Sequence, residues 1–138
     1  MKRISLLIIV ATFLLSTGCV FDSTSQGSSK SITASELINV NQAEFERLMK
    51  EKDVEIIDVR TQAEVSTGYI PGTKHFINFN SESFEKQLSQ LDKSKTYIVY
   101  CRSGARSAQA GYQMTQKGFV KVYNLEGGIL KWKGALSK

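Results

Sequence analysis

The chemistry-bearing stretch is Cys101-Arg102-Ser103-Gly104-Ala105-Arg106-Ser107, which follows the apolar run Ile98-Val99-Tyr100. A thiolate is the nucleophilic form of cysteine, and a nearby arginine or helix N-terminus lowers the thiol pKa. Both are available here, because the loop leads directly into a helix-periodic segment whose orphan N–H groups and dipole would face the sulfur. Arg102 and Arg106 add positive charge and can fork onto an oxyanion. Gly104 permits a backbone bend that a side chain resists. Ser103 and Ser107 can donate hydroxyl hydrogen bonds, and Ser107 could instead cap the helix. A buried cysteine followed by a polar turn would explain Cys101, but not two arginines and a glycine within five residues of it.

Such a loop needs rigid elements around it. Residues 41–51, NQAEFERLMKE, place Phe45, Leu48 and Met49 on one helical face, with Asn41 as cap and Glu44 completing a capping-box pattern. VEIIDV (Val54–Val59) and KHFINF (Lys74–Phe79) read as strands, the first buried on both faces. Phe84, Leu88 and Leu91 fall at helical spacing in SESFEKQLSQL. TYIVYC (Thr96–Cys101) is a strand that ends on the cysteine, and the following segment is a helix stopped by Gly118. VKVYNL is a last strand, and GGILKWKGAL a short terminal helix. Strands separated by helices of this length predict an α/β fold: a mostly parallel sheet of about five strands with helices on both faces. Ligand sites in such sheets lie at the carboxyl ends of strands, where Cys101 falls.

CRSGARS resembles the active-site loop of single-domain rhodaneses, which are sulfurtransferases. Residues 56–78, IIDVRTQAEVSTGYIPGTKHFIN, are similar to that family's upstream motif, with its Asp-Val-Arg, a following Glu and a Gly-x-Ile-Pro-Gly segment. NLEGGILKWKGA (Asn124–Ala135) resembles the C-terminal motif, including the paired glycines and the tryptophan. Three ordered motifs are more specific than one loop. The sequence departs from the pattern at Tyr69, where His is common, at Thr73, where Ala is common, and at Lys131, where a small residue often precedes the tryptophan. None of these touches the Cys101 loop.

The resemblance implies that Cys101 attacks a sulfane sulfur, holds it as a persulfide and surrenders it to a thiophilic acceptor, a double displacement through a covalent intermediate. It further implies that backbone amides of Arg102 to Arg106 cradle the persulfide, that Arg102 meets a small anionic donor such as thiosulfate, and that Arg106 either joins it or braces the loop. Asp58, Arg60 and Glu64 are expected to form a supporting ion-pair network. Gly127-Gly128 either lets backbone approach the site or breaks the last strand, and Trp132 is expected in the core. No cofactor is needed. Nor do His75 and Cys101 supply the roughly four ligands that zinc takes, and His75 is expected to be structural.

Three other readings compete. A cysteine phosphatase or arsenate reductase loop has its arginine six positions after the cysteine, whereas position 107 is Ser and Arg106 lies five positions on. An inactive docking module commonly loses the cysteine, which is kept here. A protein persulfide or redox relay would share the chemistry at Cys101, and nothing in the sequence separates it from a small-molecule enzyme.

The remainder of the chain concerns location. Lys2 and Arg3 precede the apolar run Ile4–Leu15, which small residues end at Ser16-Thr17-Gly18. That pattern describes an export signal, and the run is shorter than the roughly 20 apolar residues of a membrane span. LLSTGC resembles a bacterial lipoprotein signal, with residues 1–18 removed and Cys19 lipidated, although Ser16 stands where Leu, Val or Ile is usual. Residues 19–34 are serine-rich and read as a flexible tether, leaving 35–138 as the rhodanese-like domain. More than one acyl chain on Cys19 would anchor it stably, which places the protein at the cell envelope with membrane as a partner. With Cys19 acylated, Cys101 has no cysteine left to pair with. Loss of Lys2 and Arg3 lowers the net charge from +5 to +3, too mild for a nucleic-acid binder. At 41% hydrophobic and 22% charged, the 138-residue chain has a globular composition of single-domain size.

Overall fold

A computed structural model describes residues 35–138; the leader, Cys19 and the tether lie outside the described residues. Five strands form one sheet: β1 (Glu36–Val40), β2 (Val54–Asp58), β3 (Thr73–Phe76), β4 (Thr96–Tyr100) and β5 (Lys121–Leu125). Their spatial order is β1-β5-β4-β2-β3 and every pairing is parallel. The central strand, β4, is almost wholly a buried apolar run, as a sheet covered on both faces requires.

Alternate side chains feed two cores. One face gathers Ile57, Val99, Cys101 and Val122 beneath α3 (Phe84–Ser89) and α4 (Ala105–Gln116), which contribute Phe84, Leu88, Ala110 and Met114. The other gathers Ile56, Ile98, Tyr100 and Leu125 against Phe45 and Leu48 of α1 (Gln42–Leu48). Helices therefore cover both faces of a parallel α/β sheet. The Asn41 side chain accepts from the Glu44 N–H as expected, but the Glu44 carboxylate turns to Arg47 instead of closing a capping box. The terminal segment is a single 3-10 turn, Gly128–Lys131.

Two elements differ from the sequence expectation. β1 is an edge strand with the mixed sequence ELINV, fully buried only at Val40, so it has neither clean alternation nor an apolar run. The single turn α2 (Gln62–Val65) is too short for periodicity to register. Thr61-x-x-Glu64 is nonetheless a complete capping box, so this start signal was present in the sequence.

Candidate active site

Cys101 is the first residue after β4, one position beyond the strand expected to contain it. Its neighbours reverse the chain into α4, whose N-cap is Gly104 at φ +96°, a left-handed conformation that favours glycine. A Cβ there would also stand 3.1 Å from the Gly127 nitrogen and 3.2 Å from the Leu125 carbonyl oxygen. The reversal brings the Gly104 N–H to 3.1 Å from Cys101 Sγ. The Ser107 hydroxyl lies 3.4 Å from the same sulfur and 3.1 Å from the Gly104 carbonyl oxygen, sharing one hydrogen between them. Burial pushes the Cys101 thiol up. The Ser107 hydroxyl and the backbone N–H groups of Ser107, Gly104 and Ser103 more than offset it, so the thiol lies below its ordinary value. The positive end of the twelve-residue α4 acts in the same direction. Ser103 on the loop and Ala105 at the start of α4 are exposed.

The two arginines separate. The guanidinium of Arg106 grips the Glu64 carboxylate with both branches, at 2.7 and 2.8 Å, so its fork is not directed at an incoming oxyanion. Hydrogen bonding from Arg106 holds the Glu64 carboxyl down to about 2, although partial burial opposes this. Arg102 is exposed and has no carboxylate within ion-pair distance among the described residues.

Asp58, Arg60 and Glu64 do not form one three-membered ion-pair network. Asp58 and Arg60 make a buried pair, with Arg60 Nη2 at 2.6 Å from Asp58 Oδ2 and Arg60 Nε at 3.0 Å from both carboxylate oxygens. The Arg60 guanidinium then ties down two backbone carbonyls, those of Glu64 and Gly68. Glu64 spends its own carboxylate on Arg106 and on the Thr61 cap. The two pairs stitch the β2–α2 turn to the start of α4, and the link between them is backbone.

The paired glycines serve a close approach. Gly128, at φ +55°, lies so near the loop that a Cβ would overlap the carbonyl oxygens of Cys101 and Arg102. Beyond it, the Ile129 N–H donates to the Cys101 carbonyl at 2.9 Å and the Leu130 N–H to that of Arg102 at 3.1 Å. Trp132 is half-buried and edge-on to Phe45 at 5.6 Å, packed against the α1 side of the sheet. His75 is hydrogen-bonded to Glu55 at 2.8 Å.

Sequence reasoning did not single out Ala63, Thr67, Ile129 and Leu130. With Arg102 they line a pocket of about 410 Å³ beside the loop. The C-terminal motif marks Ile129 and Leu130 by position, but an apolar pair next to a tryptophan reads as core until the fold shows Leu130 to be 62% exposed.

The sequence matches the Rhodanese-like domain family over residues 41–135. A "Sulfurtransferase" of Allochromatium vinosum is 38% identical over 63% of this chain and 78% of its own length. The "Thiosulfate sulfurtransferase GlpE" of Shewanella oneidensis is 31% identical over 71% of this chain and 92% of its own. A crystal structure of a rhodanese-like domain protein from Staphylococcus aureus superposes with a TM-score of 0.63 at 30% identity, covering 72% of this chain and 96% of that one. The family match spans more than half of the chain, and the chain belongs to the rhodanese-like domain family.

Proposed function

We propose that this protein is a sulfurtransferase of the thiosulfate type that carries sulfur as a persulfide on Cys101. The observation that carries the reading is the Cys101 sulfur at the start of α4, accepting from the Gly104 N–H at 3.1 Å and the Ser107 hydroxyl at 3.4 Å, with Arg102 beside it and in no ion pair among the described residues. The Cys101 thiolate attacks the outer sulfur of thiosulfate; the new S–S bond forms as the old one breaks, and sulfite leaves with the bonding pair. A thiophilic acceptor then attacks the outer sulfur of the persulfide and Cys101 departs as thiolate, ready for another cycle. Arg102 meets the donor anion at the mouth. The loop's N–H groups stabilise negative charge on sulfur throughout, as an oxyanion hole does for oxygen. Arg106, fixed by Glu64, keeps the start of α4 in place.

The purified chain is expected to form thiocyanate from thiosulfate and cyanide, and mass spectrometry after donor alone should find one extra sulfur on the Cys101 peptide. An unmodified peptide under turnover conditions would overturn the persulfide route. The proposal extends to the cell envelope, supported by the LLSTGC segment and its Cys19. Fatty-acid labelling of the wild type but not of Cys19→Ala is expected, and equal labelling would rule the anchor out.

A further inference from the structure

Resting on the sulfurtransferase reading, we infer that the pocket beside the Cys101 loop selects the acceptor, an organic thiol with an apolar body and a carboxylate. The pocket's volume of about 410 Å³ corresponds to roughly a dozen water molecules, far more than a small inorganic oxyanion fills. Its wall is largely apolar, built from Ala63, Ile129 and Leu130. Of the charged groups that border it, Arg60 is occupied by Asp58, and Glu64 by Arg106. Among the described residues Arg102 is the one of these groups with no ion-pair partner, so the pocket matches one anionic group on an otherwise apolar molecule.

Leu130 is the residue that sets this preference. It is 62% exposed, and its main chain is fastened to the loop: its N–H is bonded to the Arg102 carbonyl and that of Ile129 to the Cys101 carbonyl. These bonds fix where the Leu130 side chain leaves the backbone relative to the Cys101 loop. An acceptor thiolate attacks the outer sulfur of the persulfide, a new S–S bond forms to the acceptor, and the Cys101–sulfur bond breaks with its electron pair staying on Cys101.

The test loads Cys101 from thiosulfate, confirms the extra sulfur by mass spectrometry, and measures discharge by 3-mercaptopropionate and by 6-mercaptohexanoate. These acceptors share a thiol and a carboxylate and differ in three methylenes. The longer one is expected to have roughly tenfold higher kcat/KM, the gain from burying about two methylenes. Leu130→Ser should collapse that ratio towards one, and Leu130→Met should retain it. The ratio is insensitive to a general loss of activity. A wild-type ratio near one, a ratio unmoved by Leu130→Ser, or a loaded persulfide that neither thiol discharges would each overturn this inference while leaving the sulfurtransferase reading standing. Failure of Cys101 to load would remove both.

Discussion

Glu55 and Glu64 look alike as ionisable groups and sit at opposite ends of the sheet. Each is partly buried and each carboxyl is held down to about 2 by hydrogen bonds from basic partners. Glu55, near the amino ends of the strands, is bonded by Lys95 first, then His75 and Lys74, which ties β2 to β3 and to the residue before β4. Glu64, at the carboxyl end, is bonded by Arg106 on the first turn of α4, one residue before the Ser107 that touches the Cys101 sulfur. Similar hydrogen bonding therefore fastens strands in one place and braces the start of α4, beside the Cys101 loop, in the other. A shifted pKa marks a candidate site only when something reactive depends on the group.

The largest expected effect belongs to the reacting atom itself. Cys101→Ser should reduce thiocyanate formation to background with an unchanged melting temperature; retained turnover would dismiss the nucleophile assignment. Next is Gly128→Ala, which forces a Cβ against the Cys101 and Arg102 carbonyls from a positive-φ position. Overpacking of this kind costs about 1–3 kcal/mol, and activity should fall further than stability accounts for, because the loop must shift to accept the methyl group.

The paired carboxylates give the sharper contrast. Glu64→Gln should cost about 1–2 kcal/mol, in the range of hydrogen bonds to charged groups, and should lower kcat/KM. Glu55→Gln should cost about 1 kcal/mol, because Lys74 and Lys95 are themselves exposed, and kcat/KM should stay at the wild-type value. Equal kinetic losses in the two variants would break the comparison. Both folded-state values lie below the unfolded carboxylate range, so the stability advantage of wild type over either variant is full above about pH 4.5. It should disappear as the pH falls to about 2, which acid titration followed by circular dichroism can check.

Ser107→Ala has the subtlest expected outcome. Removing the leading downward influence on the Cys101 thiol should move the acidic limb of the pH–rate profile to higher pH. Activity would be lost near neutrality and recovered in alkali. A uniform loss at all pH values would assign Ser107 to loop packing alone.

Much of this was legible in the chain. The apolar runs at 54–59 and 96–101, separated by helical periods, specify a parallel sheet, and Cys101 at the end of one run marks the site. The edge strand β1 was not legible, because its mixed ELINV pattern acquires meaning only when Glu36–Val40 pair with Lys121–Leu125. Equally hidden was the partner of Glu64: Arg60 lies four residues away, and Arg106 forty-two.

Local chemistry written along the chain determined the candidate nucleophile, the left-handed turn at Gly104 and the family motifs, because each depends on residues adjacent in sequence. Charge allocation was decided only by the tertiary structure. Once the loop, the β2–α2 turn and the Gly127-Gly128 segment are packed together, Arg106 is committed to Glu64 and Arg60 to Asp58, while Arg102, beside an exposed Leu130, has no ion-pair partner among the described residues. Pairing of this kind is a question of distance in space, and one-dimensional spacing carries no record of it.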